Sequence, residues 1–210
     1  GLITLVCIFF DSRFERSYLT IPFITTTLLS SVTTCLSIPK LKQIKIEQVI
    51  REDGPNTHFL KEGTPTMGGL FFIPVGIIIS NILYINKEDY KIILLLSLLT
   101  LFFMLIGFFD DLLSFKKQFN TGLTSKQKLM LQLFVSIIFI CSANSFIPNT
   151  IQIANRIVNI GNLIYPLGIF VLLAESNSTN LTDGLDGLLS GCSAIIFTGL
   201  AITILIENPS

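Results

Sequence analysis

Asn177-Ser178-Thr179-Asn180-Leu181-Thr182-Asp183-Gly184-Leu185-Asp186-Gly187 is a polar, glycine-punctuated stretch set between two long apolar runs, Ile157 to Ala174 and Leu188 to Ile206. At about 1.5 Å rise per residue, each run is long enough for a helix to cross the hydrocarbon layer of a bilayer. The stretch between them therefore reads as a loop that meets water at a membrane face. Asp183 and Asp186 stand three apart, on one side of any helical segment, and Gly184 and Gly187 give a ligand room to approach the backbone. A solvated turn would also carry Asp-Gly. The reading tips toward a site because a second pair of acids lies earlier in the chain, on what the same topology makes the same face.

The composition supports this beginning. Half of the residues are hydrophobic and 13% are charged, against about a quarter charged in a soluble domain, and the mean hydropathy is +0.72. The fold class expected is all-α, a polytopic transmembrane helix bundle with about six spans in this chain. Formal net charge is zero, so no global field points to nucleic acid. Cys7, Cys35, Cys141 and Cys192 sit in apolar runs without CxxC or metal-ligand spacing and read as small buried hydrophobes.

Residues 1–18 form an N-terminal segment with an apolar stretch, Leu2 to Phe10, and a charged cluster after it. It lacks the basic start and small-residue cleavage site of a signal peptide. Gly1 rather than Met opens the chain, so a preceding segment is expected. Residues 19–210 form one integral domain. Its spans read as Leu19 to Ile38, Met67 to Ile85, Ile92 to Phe109, Leu129 to Ile147, Ile157 to Ala174 and Leu188 to Ile206.

Loops 39–66, 110–127 and 175–187 are each separated by two crossings and so emerge on one side. That side holds nine Lys and Arg residues, from Lys40 to Lys61 and from Lys116 to Lys128, against five on the other, which makes it cytoplasmic by the positive-inside rule. Tyr18, Tyr84, Tyr90 and Tyr165 fall at span ends on the opposite face, as an interfacial aromatic belt would.

The three loops bring complementary chemistry. The first has Lys61-Glu-Gly-Thr64-Pro-Thr66-Met-Gly68-Gly69, a cation and hydroxyls beside glycines that let backbone amides approach an anion. The second has Asp110-Asp111, directly after the apolar run ending at Phe109. The third has Asn177, Asn180, Asp183 and Asp186. Hard oxygen donors near a basic, Gly-rich segment suit Mg²⁺ bridging a diphosphate. Asp110-Asp111 also fits two acids that simply end a span in water, although carboxylates at a helix C-terminus oppose the helix dipole and ask for a cation. His58, the one histidine, reads as ordering its polar loop.

Gly54-Pro-Asn-Thr-His58, Lys61 to Gly69, Gly107-Phe-Phe-Asp-Asp111, Gly122-Leu-Thr-Ser-Lys-Gln-Lys128 and Asn180-Leu-Thr-Asp-Gly-Leu-Asp-Gly187 resemble, in order and spacing, the bacterial phospho-N-acetylmuramoyl-pentapeptide transferases of the polyprenyl-phosphate sugar-phosphate transferase family. The resemblance runs from about Tyr18 to the end, and Lys61 to Gly69 is its most specific part. It implies Mg²⁺-dependent transfer of phospho-MurNAc-pentapeptide from UDP-MurNAc-pentapeptide to undecaprenyl phosphate. The products would be lipid I and UMP, in the first membrane step of peptidoglycan synthesis.

By the same resemblance, Asp110, Asp111 and Asp183 match the catalytic acids, and Asp110 with Asp111 the metal-binding pair. Gly184, Leu185 and Asp186 match the nucleotide pocket, and Lys61, Thr66 and Asn180 the surroundings of the sugar and diphosphate. The partners implied are the nucleotide sugar, the polyprenyl phosphate, the lipid bilayer and a second copy in a homodimer. The location implied is the bacterial inner membrane, with a plastid membrane as the alternative, and the active face cytoplasmic.

Two departures stand out. Ser114 occupies a position where many members place Lys. The family also continues through further helices whose loops hold its main metal-binding Asp and a His-rich motif, so the chain is expected to be an N-terminal piece, incomplete at its C-terminus and inactive alone. Two readings compete. A sibling UDP-GlcNAc:polyprenyl-phosphate GlcNAc-1-phosphate transferase would share the acidic motifs but differ at Lys61 to Gly69. A membrane transporter would place ionisable residues along a mid-membrane path, whereas these spans are essentially uncharged.

Overall fold

The computed structural model describes residues 2–13, 20–43, 67–117, 122–153, 156–183 and 187–207. Its helices are α1 (Leu2–Arg13), α2 (Thr20–Gln43), α3 (Gly69–Tyr84), α4 (Tyr90–Lys117), α5 (Ser125–Ser142), α6 (Ile164–Thr182) and α7 (Leu188–Glu207). To this helical architecture the structure adds one small antiparallel hairpin, β1 (Thr150–Ile153) and β2 (Arg156–Asn159), in the register Thr150↔Asn159 to Ile153↔Arg156. The chain divides into two units, Leu29–Leu173 and the combination of Gly1–Leu28 with Ala174–Ser210.

The protein is an integral membrane protein, and its surface shows why. Large apolar side chains are exposed along almost every helix, among them Ile21, Leu36, Ile82, Met130, Phe134, Phe170, Ile195 and Phe197. A soluble monomer rarely shows contiguous apolar surface on that scale. Among the described residues the buried positions mix a few large apolar side chains, Leu41, Met67, Ile106 and Ile140, with small or polar ones, Ala143, Ser37, Ser97, Gln132 and Ser136, and Gln132 and Ser136 are the largest that are fully buried. Lipid is as apolar as leucine, so helices in a bilayer associate through small residues and interhelical hydrogen bonds rather than by burying grease.

Segments Thr20–Lys42, Tyr90–Phe115 and Ser125–Ser142 are long and apolar enough to cross a membrane, and Gly69–Tyr84 and Leu188–Thr203 are shorter apolar helices. The span order read from the sequence is kept. The bounds shift, with α2 running on to Gln43 and the fourth span, expected over Leu129 to Ile147, observed as Ser125–Ser142, and three further differences bear on the site. Asp110-Asp111 do not end a helix, because α4 runs on through Leu112-Leu113-Ser114-Phe115 to Lys117, a stretch without Gly or Pro to stop it.

The expected fifth span from Ile157 breaks up. Ile157 and Val158 are paired in β2, where β-branched side chains fit a strand, and Gly161 turns the chain at φ +54°. Asn149 O accepts from the N–H groups of Ile160 and Gly161, and Asn159 Oδ1 accepts from Gly161 N–H at 2.9 Å. Helix α6 therefore starts only at Ile164, with Pro166 tolerated in its first turn. At its other end α6 absorbs part of the presumed loop, since Glu175 to Thr182 are helical. The helix thus carries one carboxylate, Glu175, that the sequence spans left out.

In the unit Leu29–Leu173, α4 packs between α3 and α5. The short turn after Tyr84 makes α3 and α4 antiparallel neighbours. Asn81 Nδ2 on α3 donates to Ser97 Oγ on α4 at 2.7 Å and to Ile77 O at 2.8 Å, a polar pin inside the apolar pair. Gly168 of α6 gives room for the Ile140 side chain of α5, the Tyr165 hydroxyl donates to Asn144 Oδ1, and Lys91 Nζ sits 5.7 Å from the centre of the Phe146 ring. Asn81→Ala is expected to cost about 1 kcal/mol, within the range of intramembrane side-chain hydrogen bonds. A detergent unfolding titration that left the midpoint unchanged would show that the pin carries no stability.

In the other unit, α1 is tied to the start of α2 by the Asp11 carboxylate, whose Oδ2 accepts from Thr20 N–H at 2.9 Å. That bond satisfies one of the donors a helix start leaves open.

Candidate functional site

Helix α5 begins with a complete capping box: Thr124 Oγ1 accepts from Gln127 N–H while the Gln127 side chain accepts from Thr124 N–H. The helix start is satisfied without help from its neighbours. Its first turn nevertheless carries Lys126 and Lys128, cations at the positive end of the helix dipole, where an acid would be favoured.

The compensation comes from α4. Asp110 lies about two turns before the end of α4, and Lys128 Nζ meets its Oδ2 at 2.8 Å. The pair is largely out of water, with side chains 16% and 23% exposed for Lys128 and Asp110. The other oxygen, Oδ1, accepts from Leu123 N–H at 2.8 Å.

Gly122 makes this turn sit where it does. A Cβ at position 122 would lie 2.2 Å from the backbone oxygen of Asp110, 2.5 Å from its Oδ1 and 2.7 Å from Ser114 Oγ, distances no side chain tolerates. Glycine is required by close approach, not by its dihedral angle. Ser114, one turn after Asp110, lines the same contact with a small side chain.

Asp111 follows Asp110 in α4 and is half-buried. Mg²⁺ is held by hard oxygens, often one or two carboxylates with waters and substrate phosphates, and two adjacent carboxylates supply that donor chemistry. Each Asp110 oxygen accepts one N–H and keeps a second lone pair open to a further ligand. Among the described residues, no three of His, Cys, Asp and Glu gather into a fuller cation site.

Asn180 and Asp183 belong to the other unit. Asn180 lies near the end of α6 and is exposed. Asp183 continues the helical pattern by donating its N–H to Thr179 O at 3.2 Å, and its side chain is exposed. Asp183, an acid at the negative end of α6, therefore opposes a helix dipole, whereas Asp110 and Asp111 lie within α4. Gly187, at φ +80°, precedes α7, and its carbonyl accepts from Gly191 N–H and Ser190 Oγ. Lys61, Thr66, Gly184, Leu185 and Asp186 lie outside the described residues, as does His58.

The structure thus brings Asp110 together with Gly122, Leu123 and Lys128. From the sequence, Lys128 is one cation of a motif at the edge of the fourth span, with no partner assigned. Thr124-x-x-Gln127 was the available signal, because a capping box there starts α5 at Ser125 and puts Lys128 in its first turn.

The family model for Glycosyl transferase family 4 matches residues 93–210, and that for phospho-N-acetylmuramoyl-pentapeptide-transferase signature 1 matches residues 61–73. Among similar curated proteins is a phospho-N-acetylmuramoyl-pentapeptide-transferase of Prochlorococcus marinus (strain NATL2A), 69% identical over 212 residues, with 100% of this chain and 57% of the relative covered. The proteins of the same name from Prochlorococcus marinus (strain MIT 9313) and Synechococcus sp. (strain CC9605) are 48% and 43% identical. They cover 99% and 95% of this chain, and the chain covers 57% and 58% of their lengths. The chain spans somewhat more than half the length of the curated relatives it matches.

Proposed function

The chain belongs to glycosyl transferase family 4, and from that membership we propose that the full-length protein transfers phospho-MurNAc-pentapeptide from UDP-MurNAc-pentapeptide to undecaprenyl phosphate, giving lipid I and UMP. The observation that carries the muramoyl donor is the signature over residues 61–73. The reaction would take place at the cytoplasmic face of the inner membrane, the face to which nine of the fourteen Lys and Arg residues are assigned.

The chemistry is a phosphoryl transfer. An oxygen of the lipid phosphate forms a bond to the phosphorus carrying the muramoyl sugar, and the bond from that phosphorus to the bridging oxygen breaks, with the electron pair leaving on UMP. A phosphate monoester with a second pKa near about 6 is largely dianionic at pH 7, so the attacking oxygen scarcely needs a base. Positioning and electrostatic stabilisation are then the main tasks left to the protein.

In this reading Asp110 and Asp111 hold Mg²⁺, which when bound supplies neutralisation of the diphosphate charge. Asp183 is the third acid. Lys61, Thr66 and Asn180 orient the sugar and diphosphate, and Gly184, Leu185 and Asp186 line the nucleotide pocket. The 210 residues alone are expected to be inactive, because by the family resemblance further donors come from later loops.

Side-by-side assays of the full-length protein with UDP-MurNAc-pentapeptide and UDP-GlcNAc test the donor. The expected preference for the muramoyl donor is about 10⁴-fold or more, the scale reached when a site hydrogen-bonds a group that the competitor lacks. Preference for UDP-GlcNAc would make the protein the sibling GlcNAc-1-phosphate transferase.

A further inference from the structure

We propose that Lys128 is a positioning residue that fixes the orientation of the Asp110 carboxylate, acting together with the Gly122-Leu123 turn. The inference rests on the reading of Asp110 as an active acid. Three observations carry it.

Asp110 is held at both oxygens from two different points of the chain, Leu123 N–H on Oδ1 and Lys128 Nζ on Oδ2, each at 2.8 Å. Two donors on two oxygens fix the plane of a carboxylate, since rotating it lengthens at least one bond beyond hydrogen-bond range. Second, the approach of the turn is tight enough that only glycine fits at 122. Third, Lys128 stands where the needs of α5 would not place a cation: the helix start is already closed by the Thr124–Gln127 box, and its dipole disfavours positive charge there. The ammonium is accounted for by the acid it meets on α4.

The consequence concerns preorganisation. With its plane fixed, Asp110 presents its remaining lone pairs in a set plane, and a cation or a phosphate-bearing substrate meets a set geometry rather than a rotating group. Loss of Lys128 leaves the Leu123 N–H on Oδ1 and frees Oδ2 to turn. A lysine that instead touched substrate directly would act through affinity for that substrate.

The test uses the full-length protein and its variants K128M, K128Q and K128R, with kcat, both KM values and Mn²⁺ binding followed by electron paramagnetic resonance in the absence of substrates. An inactive parent, shown to be folded, would overturn the underlying reading and not the geometry of Asp110. With an active parent, K128M is expected to lower kcat by about 10²-fold, as a misplaced reacting group does, with both KM values within about twofold of the parent. Mn²⁺ affinity should weaken by about tenfold, the effect of removing a group that orients a ligand. Combining K128M with D110N should weaken Mn²⁺ binding no further than D110N alone.

K128R, which keeps a cation within reach of Oδ2, should recover most of kcat. Parental kcat in K128M would overturn the proposal, as would a raised donor KM at unchanged kcat or an additive loss of Mn²⁺ affinity in the double variant. Should K128M fail to fold, K128R above K128Q in kcat supports the proposal, and K128Q equal to the parent overturns it.

Discussion

Asp183→Asn in the full-length protein is expected to lower transfer by about 10³-fold or more, the scale of losing one preorganised charged group at a phosphoryl-transfer site, while the folded protein becomes slightly more stable. The two halves of that expectation come from the same place in the fold. Asp183 follows the last residue of α6, Thr182, and its side chain is exposed. A carboxylate there faces the negative end of the helix dipole, an arrangement that costs about 0.3–1 kcal/mol, and the isosteric amide removes the charge.

A residue kept against its local electrostatics and needed for turnover is the pattern of a functional acid. Asp110→Asn should separate from it. That variant also loses transfer, but it gives up the ion pair with Lys128, which is largely out of water. Its stability should fall by about 1–3 kcal/mol, between the values of exposed and fully buried pairs. Thermal unfolding in detergent beside a turnover assay reads both quantities. Full turnover in Asp183→Asn would remove the residue from the site, and equal stability losses in the two variants would contradict the contacts assigned to Asp110.

The second large effect falls on a residue with no chemistry of its own. Gly122→Ala would put a Cβ 2.2 Å from the backbone oxygen of Asp110. That oxygen belongs to α4 and cannot swing away as a side-chain tip can. The turn must therefore move off Asp110, with the Leu123 N–H bond lost on the way. A cost of about 2–4 kcal/mol is expected from overpacking and the broken contact, together with a fall in turnover similar to that of a misplaced acid, about 10²-fold.

Gly168→Ala is the internal control. Its new Cβ would meet Ile140 Cδ1 at 2.8 Å, the mobile end of a side chain, and the cost should stay within about 1 kcal/mol. If Gly122→Ala melts and turns over like the parent, the turn does not sit on Asp110.

What could be read from the sequence follows from the range of each signal. Apolar runs bounded by charge located α2, α3, the start of α4 and α7 to within a few residues, because hydropathy over a span-length window is a strong local signal. It failed where hydropathy and helicity part company. At Phe109 the apolar run stops but the helix does not, since Leu112 to Lys117 are helix-compatible residues, so Asp110 lies in mid-helix. At Asn177 the polar run looked like a loop, yet nothing before Gly184 breaks a helix, and α6 continues to Thr182. At Ile157 the error ran the other way, because apolar β-branched residues suit a strand as well as a span, and Asn149, Asn159 and Gly161 turn the chain there.

For the candidate site, the residue types were legible and one partnership was not. Asp110 meets Leu123 and Lys128 across 13 and 18 residues of sequence, through a turn whose position depends on the packing of α4 against α5. No local pattern encodes that contact. Gly122 stands within a motif visible in the sequence, but the reason for it, a backbone approach to Asp110, exists only in three dimensions.

Transfer of a phosphorylated sugar is distinguished from transfer of the bare sugar by its leaving group. Full-length protein would be given UDP-MurNAc-pentapeptide labelled in both the uridine and the sugar, together with undecaprenyl phosphate and Mg²⁺, and its products would be separated. The account predicts one UMP released for each sugar recovered in lipid, because the bond broken lies between the two phosphorus atoms. Release of UDP in equal amount would place the broken bond between sugar and phosphate, and would contradict the account even if the sugar reached the lipid.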